Sequence, residues 1–322
     1  MAAWLLVLLG LVLLVVGAEL VVRYGAQFAR RLGVPSILVG LTIVSIGTSA
    51  PELAVGIDAA RAGEGSLALG NIAGTNIVNL LLILGMSAAI RAIPVGLQTL
   101  KLDLPMMGGV ALLLLVFSID QVIEQWEGGV LLAVAIAYTL LLVRWARREN
   151  ARVVAEFEHE FSDVGVRERG ALGIVFAVVM LIVGLVVIIL GAQWLVEGAV
   201  ELAEAMGVSS AFIGLTIVAI GTSAPELATT ILSTFRGDRD IAIGNLIGSS
   251  TYNLTAILGI TVLVAPIAVI EPLLLVDIPV MIAAAFIVGA FMMSGRVLTR
   301  REGALMVVGY VAYLAYLIAA RT

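Results

Sequence analysis

The chain has 322 residues, 61% hydrophobic and 13% charged, with a mean hydropathy of +1.16 and a formal charge of −5. Soluble domains carry about 45–50% apolar and about 25% charged residues, so a soluble fold is excluded for want of polar surface to cover a core. With no cysteine and a single histidine, His159, disulfides, thiolate nucleophiles, cysteine-ligated metals and two-histidine metal sites are excluded too.

Apolar windows separated by charges predict ten spans, at 4–22, 36–60, 67–90, 104–119, 128–145, 171–195, 208–234, 240–264, 272–293 and 303–320. Runs of this length read as helices, because lipid leaves every backbone polar group to find an internal partner. The first window lacks a basic leader and a small-residue cleavage site, so it reads as a retained span. Between spans five and six lies a hydrophilic stretch with six arginines and six acids, from Arg144 to Gly170. It predicts a cytoplasmic connector, 146–170, between one five-helix unit, 1–145, and another, 171–322. Of the 18 basic residues only Lys101 is a lysine, and no basic run suits nucleic acid.

The two units repeat each other. Residues 41–85 and 215–259 align without a gap at an offset of 174, with 24 identities in 45 positions. The same offset pairs Asp103-Leu104-Pro105 with Asp277-Ile278-Pro279. Five spans per unit is an odd number, so the second unit enters the membrane from the opposite side, the inverted-repeat layout of many secondary transporters. In this layout one face carries 16 arginines and lysines and the other only Arg61 and Arg321. The positive-inside rule then puts both termini outside.

Glu52 and Glu226 lie deep inside apolar spans. A carboxylate there is costly and marks a functional site. Ser45, Thr48, Ser49 and Glu52 share one helical face, as do Ala219, Thr222, Ser223 and Glu226. Asn71, Thr75 and Asn79 form a second polar face at spacings of four, matched by Asn245, Ser249 and Asn253. Hydroxyls and amides in membrane helices also serve as interhelical hydrogen bonds; Asn71 and Asn245, near helix ends, are open to that reading, whereas Thr48, Thr222, Asn79 and Asn253 read as ligands. Pro51 and Pro225 remove a helix hydrogen bond and free the carbonyls of Gly47 and Gly221. Broken helices are therefore expected around a midplane site built from oxygen. Such a set suits a hard cation: two glutamates neutralise one Ca2+ or two Na+, while Mg2+ gives up its water reluctantly. A site that takes either ion, but must be filled to move, is an exchanger. Two spacings, Gly70-x-x-x-Gly74 and Gly244-x-x-x-Gly248, read as close-packing seams that bring span 3 near span 2. Asp103 and Asp277, each two residues before a proline, read as helix N-caps.

The duplicated Gly-Thr-Ser-Ala-Pro-Glu-Leu runs at 47–53 and 221–227, with Gly70-Asn71 through Asn79 and Gly244-Asn245 through Asn253, resemble the calcium:cation antiporter superfamily, and within it the sodium/calcium exchangers. The resemblance covers nearly the whole chain. It implies an all-α membrane protein of ten helices in two inverted repeats, with helices 2, 3, 7 and 8 broken around the site. It implies Glu52 and Glu226 as calcium ligands, helped by Thr48 and Thr222. Thr75, Ser249, Ser49, Ser223, Asn79 and Asn253, with the backbone at Ser45 and Ala219, would help form sodium sites. It also implies that spans 1 and 6 slide across the rest. Many relatives carry aspartate at a position matching Asn79 or Asn253; asparagine at both leaves two formal charges in the site and argues against potassium co-transport. The expected activity is Na+/Ca2+ antiport in the plasma membrane, with Ca2+, Na+ and lipid as partners and no cofactor, nucleic acid or obligate protein partner. A proton-coupled antiporter of the same fold is the alternative, since protons compete for carboxylates in low dielectric. An intramembrane hydrolase and a cation channel fit less well, for lack of a nucleophile–histidine pair and because of the inverted repeat.

Overall fold

The computed structural model describes residues 2–32, 36–160, 171–206 and 219–321. In chain order its helices are α1 (Ala3–Leu32), α2 (Ile37–Thr48), α3 (Ala50–Arg61), α4 (Gly65–Ile90), α5 (Thr99–Ser118), α6 (Gln125–Glu160), α7 (Ala171–Ala205), α8 (Ala219–Thr222), α9 (Ala224–Arg236), α10 (Arg239–Val264), α11 (Leu273–Met293) and α12 (Arg300–Arg321). Among the described residues eight helices are long and apolar enough to cross a membrane, or nine if α2 and α3, bent by 41° at Ser49, make one span. The seventh expected span, 208–234, begins within residues 207–218, which lie outside the described ones. Helix α6 runs on to Glu160, so much of the expected connector is helical.

Two small antiparallel sheets tie the halves together. Strand β1 (Ile93–Pro94) pairs with β4 (Val297–Leu298), and β2 (Val122–Ile123) with β3 (Ile267–Ala268). Gln121 and Arg296, both at positive φ, precede β2 and β4; their carbonyls accept from Val269 N and Val95 N at 2.7 and 2.8 Å. These matched features stand 175 residues apart, not 174. The repeat gains one residue near 119–121, which an ungapped alignment ending at Pro105 and Pro279 does not reach. The same shifted register gives α6 and α12 one kind of start: Glu127 accepts from Glu124 N at 2.8 Å, and Glu302 from Thr299 N at 2.7 Å. Each reaches back to an otherwise unsatisfied donor.

Helices α1 and α7 pack on each other along their length through a glycine seam. A Cβ on Gly17 would stand 2.5 Å from Ile188 N, one on Gly191 2.6 Å from Leu14 N, and one on Gly198 2.6 Å from the Ala3 carbonyl. Contacts this close leave room for nothing larger than glycine. The large apolar core draws on residues from Ile37 to Ala146 and from Ile243 to Tyr310, and on none from α1 or α7. Among the described residues, the buried apolar side chains of those two helices meet the remainder in small satellite clusters, such as Leu14, Ala18, Ile188, Ala192 and Ala224. The fold thus has a two-helix body lying against a larger one.

Two sequence expectations are corrected. Spans 3 and 8 are not broken. They contain no proline, and each stays helical through a π-helical stretch, Val78–Ile83 in α4 and Asn253–Ile257 in α10. A π stretch widens the hydrogen-bond ring without ending the helix. Asp103 and Asp277 are not caps: both have helical backbone, neither makes a capping bond, and π-helical turns at Thr99–Asp103 and Leu273–Asp277 lead into them. Their carboxylates instead accept from tyrosines on the last helix of each half, Tyr138 at 3.1 Å and Tyr313 at 2.5 Å. The glycines of α10 do form a close-packing seam, and it runs between the halves: Gly244 and Gly248 face Ile37, Gly40, Leu41 and Ser45.

Tyr138→Phe removes the donor to Asp103, whose second oxygen already lacks a partner. Leaving a buried acceptor unmet costs about 1–3 kcal/mol, so the variant is expected to melt below wild type in detergent. An unchanged melting temperature would show that this bond does not hold α5 to α6.

Candidate functional site

The two glutamates owe their setting to a chain break. At Ser49 (φ −82°, ψ 7°) and Ser223 (φ −85°, ψ 7°) the backbone leaves helical geometry, and proline sits at the start of the helix that follows. Each break creates a helix N-terminus inside the membrane. Glu52 and Glu226 fall in the first turn of α3 and α9, where free N–H groups and the helix dipole favour a carboxylate. Both residues are completely buried and lie within electrostatic reach of each other.

The halves interlock here. The π-helical stretch that starts at Asn253 packs against α3, and the one that includes Asn79 packs against α9. Ser49 and Ser249 stand with their hydroxyls 3.5 Å from Glu226 Oε1, bringing α10 and the α2–α3 break to one carboxylate oxygen. The Ser249 hydroxyl is also 3.4 Å from the Ser45 carbonyl. Ser45 turns its own hydroxyl to the carbonyls of Gly40 at 2.6 Å and Asn245 at 3.0 Å. Thr48 Oγ1 lies 3.0 Å from the Val44 carbonyl and 3.2 Å from Asn245 Oδ1. Its one proton is engaged there, and its lone pairs stay available. Asn245 meets Thr48 through its oxygen and Thr230 through its nitrogen, at 3.4 Å. That is the helix-joining role open to it from the sequence. Thr222 has its own partners, and the helical backbone of Ala219 begins α8.

The unmet atoms are the informative ones. Glu52 Oε1 and Oε2, Thr75 Oγ1, Asn79 Oδ1, Ser223 Oγ, Glu226 Oε2 and Asn253 Oδ1 are buried oxygens with no hydrogen-bond partner among the described residues. Each such group costs about 1–3 kcal/mol, a burden with no use in packing alone. Carboxylate, hydroxyl and amide oxygens are the hard donors that Ca2+ takes in flexible geometry. Among the described residues no group of three or more His, Cys, Asp or Glu side chains gathers around a metal position; the charge available here is that of two carboxylates, Glu52 and Glu226, which one divalent cation would balance.

Comparison with known proteins agrees with this chemistry. The family profile for sodium/calcium exchanger protein matches residues 2–144 and 176–319. The chain is 34% identical over 342 aligned positions to the sodium/calcium exchanger MaX1 of Methanosarcina acetivorans, with 98% of each chain covered. It is 33% identical to the inner membrane protein YrbG of Escherichia coli K12, over 83% of this chain and 81% of that one. Among solved structures, the sodium-calcium exchanger NCX_Mj soaked with Na+ superimposes with a TM-score of 0.84 at 27% identity, covering 100% of this chain and 99% of the other.

Proposed function

The chain belongs to the sodium/calcium exchanger protein family, and on that premise we propose that it exchanges Na+ for Ca2+ across the plasma membrane by alternating access. Glu52 and Glu226 are the central calcium ligands, with Thr48 and Thr222 beside them. Thr75, Ser249, Ser49, Ser223, Asn79, Asn253 and the backbone at Ser45 and Ala219 form overlapping sodium sites. The observation that carries this reading is the set of buried, unpartnered oxygens drawn from both halves around two carboxylates. Filled, the site is neutral and can cross a dry barrier; empty, it carries two negative charges and cannot. This difference enforces exchange over leak.

Ten spans in two inverted five-helix units, 1–145 and 171–322, accompany this function. A parity argument supports the count. Paired strands lie on one membrane face, so an even number of crossings must separate β2 from β3. Only three described spans do so, at Gln125–Ala146, Gly173–Ala203 and Arg239–Val264. This parity supports a fourth crossing between 204 and 238, where span seven is expected. The same reasoning applied to β1 and β4 finds five described spans and asks for a sixth. Charge distribution puts the termini outside, and the separate packing of α1 and α7 suits a body that slides.

The coupling ion is tested in proteoliposomes. Liposomes loaded with Na+ and diluted into Na+-free, K+-free medium are expected to take up Ca2+, with no stimulation by added K+. Uptake that ignores internal Na+ but follows a pH gradient would replace Na+ by H+ as the coupling ion within the same architecture.

A further inference from the structure

Helix α9 does not end its polar face at Glu226. Thr229, Thr230, Ser233 and Thr234 follow at three, four, seven and eight residues, the same helical face. All four are at most 1% exposed. The matching residues of the first repeat, at an offset of 174, are Val55, Gly56, Ala59 and Ala60. The fold accepts apolar side chains at this place, so packing alone does not call for hydroxyls.

Two of these hydroxyls, Thr230 and Thr234, also join α9 to other helices. Three of the four turn their protons back onto their own helix: Thr229 to the Pro225 carbonyl at 2.7 Å, Ser233 to the Thr229 carbonyl, and Thr234 to the Thr230 carbonyl at 2.7 Å. A hydroxyl engaged in this way presents lone pairs outward. Asn245 Nδ2 reaches Thr230 Oγ1, and Ser87 Oγ from α4 lies 2.5 Å from Thr234 Oγ1. Oxygens therefore follow one another from Glu226 toward the end of α9. There, just before Gly237 (φ 82°) stops the helix, Arg236 pairs with Glu19 of α1. Both partners are partly exposed, and theirs is the one ion pair among the described residues. It joins the α1–α7 body to the body that holds the site.

We propose that the Thr229, Thr230, Ser233 and Thr234 face lines the passage taken by the transported cations between Glu226 and the cytoplasm, and that the Glu19–Arg236 pair holds this passage shut in the present structure. The inference rests on the exchanger reading for its cargo and makes the two routes to the site chemically unlike. The cytoplasmic route offers partly dehydrated cations a series of hydroxyl oxygens, and the external route along Val55, Gly56, Ala59 and Ala60 does not. Breaking the pair frees α1 to move away from α9 and leaves Glu19 at the mouth as an attractor for cations.

The absence of native cysteine makes the test direct. Thr230→Cys and Thr234→Cys, each carrying the chain's only cysteine, are treated with a charged, membrane-impermeant thiol reagent from either side. Ser162→Cys in the connector reports which side is which. Both introduced thiols are expected to react only from the connector's side, more slowly under saturating Na+ on the opposite side, and faster when Glu19→Gln is added. Reaction from the opposite side, or none from the connector's side, overturns the route; labelling that ignores Glu19→Gln overturns the latch. Calcium uptake by the cysteine-free parent separates the two levels: one-sided labelling in a chain that does not exchange Na+ for Ca2+ keeps the route and removes the cargo.

Discussion

Glu226→Gln is expected to reduce Na+-dependent Ca2+ uptake by two orders of magnitude or more while leaving the protein at least as heat-stable as wild type. With one carboxylate removed, a bound Ca2+ retains a net positive charge at membrane depth. On insertion scales a charge there costs about 2.5–3.5 kcal/mol, or about 60- to 400-fold in an equilibrium constant. Stability should respond in the opposite sense. Glu226 Oε2 has no partner among the described residues, and a neutral amide in the same volume is cheaper to bury than a carboxylate. Glu52→Gln should behave alike, since both Glu52 oxygens are unmet. Uptake and thermal melting measured on one preparation give the answer. Uptake near wild-type level in either variant would remove that residue from the calcium site. Loss of uptake with a large fall in melting temperature would recast the glutamate as a structural group.

Gly244→Ala is expected to damage both folding and transport, although it adds a single methyl group. The new Cβ would stand 2.7 Å from the Ile37 carbonyl oxygen and 3.0 Å from Leu41 N. Both are backbone atoms, which cannot swing aside as a side chain would. Overpacking of this kind costs about 1–3 kcal/mol, against a helix-propensity gain of about 1 kcal/mol. The shift also reaches the site, because Ser45 of α2 rests on the carbonyls of Gly244 and Asn245. Gly289→Ala in α11 is the control. Nothing among the described residues lies within 4 Å of its added Cβ, so it should keep full activity and melt no lower than wild type. Equal behaviour of the two variants would show that α2 and α10 do not meet as tightly as the contact implies.

Much of this protein is legible without coordinates. Composition alone decides that the chain lives in lipid, because an apolar fraction of 61% has no other solvent. The ungapped duplication decides that two like units exist, and the odd number of spans expected in each predicts that they run in opposite directions. The two glutamates announce themselves through cost, as carboxylates where lipid tolerates few. The hydroxyl face beyond Glu226 was equally open to reading, at spacings of three and four, and needed only comparison with the apolar counterpart in the first repeat.

What tertiary structure alone decided is which face meets which. Side-chain period tells that Gly244 and Gly248 make a narrow strip on α10, but not that the strip lies against α2 of the other half. A pattern marks a surface and carries no address for its partner. The π-helical stretches at Asn79 and Asn253 are invisible too: they are slips in backbone hydrogen bonding that no residue type requires. Asp103 and Asp277 misled because a residue just before a proline span usually caps it; here the helix had already begun, and the carboxylates turned to tyrosines 35 and 36 residues further on. Local chemistry in the chain names the groups that lipid would punish. Only the packed bundle determines which of them compensate one another and which are left facing a cation.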